Sequence, residues 1–459
     1  MKGGKHMILY SEQKLGSQSI FIKTILDDKN NEINKRKVSI PLYQIEYNGF
    51  LYFILYDDNM NVIQPAYEYL NFNLKENPLT TRSKSAFALR LLYCFLSLSK
   101  YDIKKINERI FKELLFFLRG ININPKEYEM KTQRSAHTVN GYLSIYRTYF
   151  GINNIKCNAL FRSHISQSTT NIGNDFTSMI ERKKYDNNLK ISKVRSGIVP
   201  RYISPEDFRR IYKLALNKKD KTAQLIMHLM YGYGLRLGEV LGITMEDITE
   251  IYDNNTLVPV IILRNRISDK KFQFAKNLIH VLDKRQYESS DYYNSKYKII
   301  ITYDLYELLL EYIEETHSFA IEKYANNYAA GIADIVSIRN KPDTNHYVFL
   351  NRYGRVLSDQ TWNNKLKKYF KDANIPLDLE IRENNLSHRF RHGFAMFHAR
   401  FSEHPVDVLT LQKLLRHKSI SSTMIYYNPT IEDEFNIKTE FQNELYSMIP
   451  ELKGDILNV

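Results

Sequence analysis

Residues 387–396 read "SHRFRHGFAM", and how this stretch is read decides the fold of the larger part of the chain. His388, Arg391 and His392 stand at i, i+3 and i+4, the spacing that gathers side chains on one face of an α-helix. Such a face carries two imidazoles and a guanidinium. Histidines at i and i+4 chelate zinc in the HExxH pattern, but here the Glu is absent. Arg391 lies between the histidines instead, and its charge opposes a divalent cation, so no metal site is expected. Taken alone, the stretch also reads as a partly buried polar face whose groups satisfy one another.

Two further stretches frame it. Residues 415–429, "LRHKSISSTMIYYNP", place Tyr426 and Tyr427 nine and ten residues after His417. One of the pair is a candidate nucleophile; the plain alternative is two surface aromatics in a helical tail. Residues 231–243, "YGYGLRLGEVLGI", hold two glycines that break a preceding helix and put Arg236 at the start of the next. Glu239, three residues on, shares a helical face with Arg236 and can orient its guanidinium. Alone, that is also an ordinary surface ion pair.

Composition narrows the choices. A chain of 459 residues is long enough for about three domains. Its 43% hydrophobic and 25% charged residues are those of a soluble globular protein. A formal charge of +14 favours a polyanionic partner, nucleic acid before an anionic membrane surface, over charge that serves solubility alone. Cys94 and Cys157 cannot build a disulfide framework or a cysteine zinc site, which suits a reducing cytosol and a cytoplasmic location. No apolar run reaches the roughly 18–20 residues of a membrane span, and "MKGGKHMILY" lacks a signal-peptide core. No membrane partner is expected.

Along the chain, residues 1–75 read as β-rich, with apolar alternation around a hairpin signal at Asn48-Gly49. Residues 76–180 carry helical periodicity with scattered Lys and Arg, and 181–202 form a polar, basic linker. From 203 to 430 the pattern is mainly helical: Ser204 can cap a helix that Pro205 begins, and a short sheet is expected from 257–266 and a strand near 297–304. Residues 431–459 read as a C-terminal helical tail. The expected class is mainly α with small β-sheets, α+β.

Taken together, the three stretches resemble the tyrosine recombinases, the integrases of phages and mobile elements. Members share an Arg with a nearby Glu, a His-x-x-Arg-His box, and a Leu-Gly-His box followed nine residues later by a nucleophilic Tyr. Here these correspond to Arg236 and Glu239, to His388, Arg391 and His392, and to His417 and Tyr426. "HYVFLNRYGRVLSDQTWNNKLKKYF" resembles the family's strand-turn-helix before the second box, and 76–180 its core-binding domain. Three departures stand out: Arg416 in place of the usual Gly, Phe390 for Leu, and Gly393 for a common Thr or Ser.

The resemblance implies a site-specific recombinase that cuts and rejoins double-stranded DNA through a 3′-phosphotyrosyl intermediate. It implies no cofactor, metal or ATP, and a homotetramer on two recombination sites, with an accessory excision or bending factor as a possible partner. A type IB topoisomerase-like or telomere-resolving enzyme, or an inactive DNA-binding protein, are the alternatives. The implied roles give phosphate binding to Arg236 and Arg391, with His388 and His417 adding hydrogen bonds and one of them accepting the tyrosine's proton. His392 supports the site, and Tyr426 is the nucleophile, a one-residue slip exchanging it with Tyr427. The family's hairpin lysine, a general acid, corresponds best to Lys276 in "FAKN", with Lys271 and Lys270 as alternatives.

Overall fold

The computed structural model describes residues 7–15, 18–27, 29, 31–47, 50–120, 128–129, 132–171, 177–190, 199–253, 255–270, 272–336, 342–377 and 386–449. The chain divides into two compact units, Met1–Ser192 and Lys193–Val459. The break falls inside the basic segment 181–202.

In the first unit, strands Glu32–Val38, Gln18–Leu26, Met7–Leu15 and Tyr128–Glu129 form a four-stranded sheet in that order. A separate hairpin pairs Leu42–Tyr47 with Phe50–Leu55, Tyr47 opposite Phe50. Its turn, Asn48-Gly49, lies outside the described residues. Three helices follow, Leu79–Ser99, Glu108–Arg119 and Ala136–Ile152, the last two capped by the Asn107 and Ser135 side chains. Strands and helices share one core: Phe117 stands edge-on to Phe21 of the sheet at 5.1 Å and packs against Phe95 of the first long helix at 5.6 Å. Buried Arg82 adds a polar tie, donating to the Leu51 carbonyl at 2.7 Å and the Leu70 carbonyl at 3.1 Å. The division expected near residue 76 therefore does not coincide with a break in packing, because neither the strands nor the helices bury their apolar faces alone. A second difference lies at 163–185. Ser163–Asn171 and Thr177–Tyr185 pair as a β-hairpin, not as part of a helical region.

The second unit holds its own core. Helices Pro205–Asn217, Lys221–Gly232, Asp359–Asp372 and Leu386–Met396 pack together around Ile211, Ile226, Leu229, Leu366 and Phe390. Ser204 caps the first helix, accepting from Asp207 N at 3.1 Å, with Pro205 in its first turn. Phe390 is fully buried and edge-on to Phe208 and Phe370, so the larger ring fills a pocket between two neighbouring helices. The sheet has three strands, ordered Tyr297–Ile300, Thr256–Leu263, Ile248–Asp253; the central one, "TLVPVIIL", is the most apolar. Strand Ile248–Asp253 and the hairpin Ile332–Val336/Pro342–His346 were not legible from apolar alternation. The last helix of the described residues is Ile431–Met448, capped by Thr430. The architecture is α+β, mainly helical with small sheets. No helix of the described residues is long and apolar enough to cross a membrane.

Candidate active site

The site is built on Glu239. Helix Leu237–Leu241 is short, and its start is fixed from within: Glu239 Oε2 accepts from Arg236 N at 2.8 Å, while Oε1 takes Arg236 Nη1 at 2.7 Å. Arg391 reaches the same carboxylate from helix Leu386–Met396, its Nη1 3.9 Å from Oε2. It also donates to the carbonyls of Gly234 and Leu415. Gly234 can offer that carbonyl because its φ is +61°, and a Cβ there would sit 2.6 Å from the Phe394 ring. The start of helix Leu386–Met396 is held by buried Trp362, whose Nε1 donates to Ser387 Oγ at 3.0 Å.

Arg416 is a third guanidinium on Glu239, donating from Nη2 to Oε2 at 2.8 Å. Burial alone raises the Glu239 pKa, but the charges of Arg416, Arg236 and Arg391 outweigh it and hold the carboxyl at about 2. Arg391 pays for the crowding: burial, then Arg236, bring its guanidinium down to about 9, still protonated at neutral pH. One carboxylate against three guanidiniums leaves an excess of positive charge under a surface to which Arg236 opens.

The histidines and the tyrosine close over this charge. Tyr426 is 2% exposed, and its hydroxyl lies 2.8 Å from His392 Nδ1. The ring of His392 packs on His388 at 5.8 Å. His417 Nδ1 faces Thr423 Oγ1 at 3.0 Å, which fixes the imidazole one turn ahead of the tyrosine. All three histidines are depressed below the usual range. Burial and then His388 and Arg391 take His392 to about 3; burial, Arg391 and Arg236 take His417 to about 4. His388 keeps an exposed edge, yet the protein around its ring, then Arg391, Arg236 and Lys276, lower its pKa as well. Burial pushes the Tyr426 phenol up to about 12, against the pull of Arg391 and Arg236. The tyrosine's partner is thus His392, whereas the sequence assigned proton acceptance to His388 or His417.

Lys276 rises from a loop whose course is set by buried polar groups. Asn265 Oδ1 accepts from Ala275 N at 2.6 Å and its Nδ2 donates to Ala275 O at 3.1 Å. Gly242 lets the loop lie against helix Leu237–Leu241, since a Cβ would meet Gln273 O at 2.2 Å. Exposed Lys276 is close enough to depress both His388 and His417, and its neighbour Asn277 donates to Arg416 O at 3.4 Å. Lys270 is not among the main groups that lower either histidine; Lys271 lies outside the described residues. Tyr427 turns the other way, its hydroxyl donating to Val406 O at 2.6 Å. Among the described residues no group of three or more His, Cys, Asp or Glu could hold a metal ion. The sequence did not single out Asn265 or the ion pair of Arg416; the Gly-to-Arg departure was the one signal for the latter.

Residues 201–432 match the model of the phage integrase family. Transposase A from transposon Tn554 of Staphylococcus aureus is 24% identical over 226 residues, 47% of this chain and 60% of that protein. Tyrosine recombinase XerA of Pyrococcus horikoshii is 24% identical over 246 residues, 53% of this chain and 61% of that one. The chain therefore spans less than two thirds of the length of these relatives. A solved structure of the XerH site-specific recombinase bound to palindromic difH substrate overlaps 79% of this chain and 80% of its own, at 16% identity and a TM-score of 0.47. Because the family match takes in just over half of the chain, and every residue from Arg236 to Tyr426, this protein belongs to the phage integrase family, the tyrosine recombinases.

Proposed function

We propose that the protein is a site-specific DNA recombinase that cuts and rejoins strands through a 3′-phosphotyrosyl intermediate, serving integration or excision of a mobile element. The observation that carries this reading is the convergence of Arg236, Arg391 and the Tyr426 hydroxyl on one positively charged centre.

In this reading the scissile phosphate enters above Glu239, and Arg236 and Arg391 donate to its non-bridging oxygens. Their planar forks suit that task better than an ammonium group would. Fixed cations in a partly dry site are the largest expected contribution to transition-state stabilisation. The Tyr426 oxygen attacks phosphorus, its proton passing to His392 Nδ1, and the bond to the 5′-oxygen breaks. Lys276 protonates that oxygen as general acid, while His388 and His417 hydrogen-bond the phosphate. In the free protein a phenol at about 12 beside an imidazole at about 3 keeps its proton. The phosphate's negative charge offsets the surplus that depresses the histidines, so substrate itself readies the base. The product keeps the bond energy as a phosphotyrosine, and a free 5′-hydroxyl from another strand can reverse the step without ATP or metal.

Several copies acting together on two sites fit the exposed apolar residues of helix Ile431–Met448: Phe435, Ile437, Phe441 and Met448. The formal charge of +14 supports a polyanionic partner such as duplex DNA, with binding that weakens steeply as salt rises. The test uses a nicked duplex that traps the covalent complex. Tyr426→Phe is expected to abolish the adduct, Tyr427→Phe and EDTA to spare it. An adduct that survives in Tyr426→Phe, or one that a chelator removes, overturns the reading.

A further inference from the structure

Arg416 occupies backbone that suits glycine. Its φ is +52°, and a side chain there is strained. Its Nε is buried and has no hydrogen-bond partner among the described residues, a second opposing term. Against both stand three bonds: Nη2 to Glu239 Oε2 at 2.8 Å and, more weakly, to the Gly234 carbonyl at 3.5 Å, and Nη1 to the Leu414 carbonyl at 3.1 Å. The side chain thus runs from the turn before His417 back to the carboxylate that sets Arg236. Around it, Arg416 N donates to Lys413 O at 2.9 Å, and its carbonyl accepts from Asn277 next to Lys276. Three segments that carry His417, Arg236 and Lys276 meet at this one residue. A glycine here would leave the first two without their side-chain link.

We propose that Arg416 is a positioning residue: its ion pair with Glu239 locks the turn bearing His417 to the guanidinium of Arg236, so that both present their donors to one phosphate. The inference rests on the recombinase reading of the same site. It differs from a role in folding, since glycine would relieve the backbone. It also differs from a role in holding DNA, since the fork is spent on Glu239, Gly234 and Leu414.

The test compares wild type with Arg416→Gly and Arg416→Lys in three measurements. These are the thermal midpoint, the single-turnover rate on a nicked duplex at saturating DNA, and the titration of His417 by NMR in the free protein. The Arg416 charge is one of the groups that depress His417. Arg416→Gly should keep or raise the midpoint, cut the saturated rate on the order of ten- to a hundredfold, and move the His417 titration upward. Arg416→Lys should restore the low His417 titration and part of the rate. A lowered midpoint with an unchanged saturated rate would mean a structural role only, and weaker DNA binding with an unchanged rate would mean a DNA contact; either overturns the proposal. If wild type forms no adduct at all, the recombinase reading fails by itself. The lock then stands or falls on whether Arg416→Gly moves the His417 titration.

Discussion

The second unit buries two clusters of arginine and carboxylate, and they are built oppositely. Around Glu239, Arg236, Arg391 and Arg416 share one carboxylate. Some residues away, Arg264 and Arg266 face Asp247, and Arg266 N donates to Asp269 at 2.6 Å. The same residue type responds in opposite directions. Arg391 is pushed down by burial and by Arg236; for Arg266 burial pulls down too, but Asp247 and Asp269 outweigh it and raise its pKa. Near 4 Å, two unit charges interact by about 4 kcal/mol at an effective dielectric of ~20, so the imbalance is large on the scale of folding. A matched cluster fastens backbone: Arg266 also donates to Gly242 O at 2.8 Å and Thr244 Oγ1 at 2.9 Å, holding the base of the Lys276 loop. The unmatched one keeps a surplus of positive charge, which in the proposed reaction the phosphate would complete.

That contrast is broken most severely by Arg266→Met. Removing Arg266 leaves Asp247 with Arg264 as its one guanidinium and takes from buried Asp269 the cation that acts on it, and about 3–5 kcal/mol of stability should be lost. Urea unfolding measures this, and an unchanged midpoint would mean the cluster does not hold the loop. Arg236→Lys should do the reverse. Its side chain is 14% exposed at the open edge of the site, and Lys keeps the charge while losing the fork. The midpoint should stay close to wild type while single-turnover cleavage falls on the order of 10²–10³-fold. A lysine variant that cleaves normally would remove Arg236 from phosphate binding.

The sequence showed the unmatched cluster far better than the matched one. Arg236, Glu239, His388, Arg391, His392, His417 and Tyr426 could be named because local spacings, i, i+3, i+4 and a nine-residue interval, matched the boxes of the family the sequence resembles. The packing order among them could not be read. That His392, not His388 or His417, meets the tyrosine depends on how the segment 415–427 folds over helix Leu386–Met396, a contact between residues 34 apart in sequence. Arg416 was visible as a departure but not as a function, since a left-handed φ leaves no trace in a single sequence. Asn265 and Arg266 read only as the polar end of the expected strand 257–266, with no role of their own, because burial at a strand end is set by tertiary neighbours. Strand Ile248–Asp253, "ITEIYD", is short, sets Thr249 beside Glu250 and Ile251 beside Tyr252 and so lacks apolar alternation, and is exposed at its end, so alternation alone could not separate it from a loop.

The two clusters should also differ in their response to acid. His392 and His417 titrate lower folded than unfolded, so the unfolded chain takes up protons first as pH falls below about 6.5. Their neutral forms therefore support the fold above that pH, and the support is lost toward about 4 and about 3. Asp269 runs the other way. Burial raises it to about 7, against the pull of Arg266, so the folded state takes up the proton first and stability rises as pH falls through 7. The stability difference between wild type and His392→Asn should change on the order of 1–2 kcal/mol between pH 6.5 and 5. The difference between wild type and Asp269→Asn should change with the opposite sign between pH 7 and 5. Denaturant titrations at a series of pH values read both slopes; equal signs would mean the two clusters are not electrostatic opposites.

The smallest effect belongs to a residue outside both clusters. Tyr427 adjoins the proposed nucleophile in sequence, yet its hydroxyl donates to the Val406 carbonyl, and burial and then Asp407 raise its pKa without any arginine of the site acting on it. Tyr427→Phe removes one hydrogen bond at a half-buried position where water can serve the freed carbonyl, so about 0.5–1.5 kcal/mol should be lost. The loss should be the same at pH 5 and pH 7, because the phenol carries its proton at both. A pH-dependent loss would mean that Tyr427 senses the histidines, and the boundary of the charged centre would then have to be drawn to include both tyrosines.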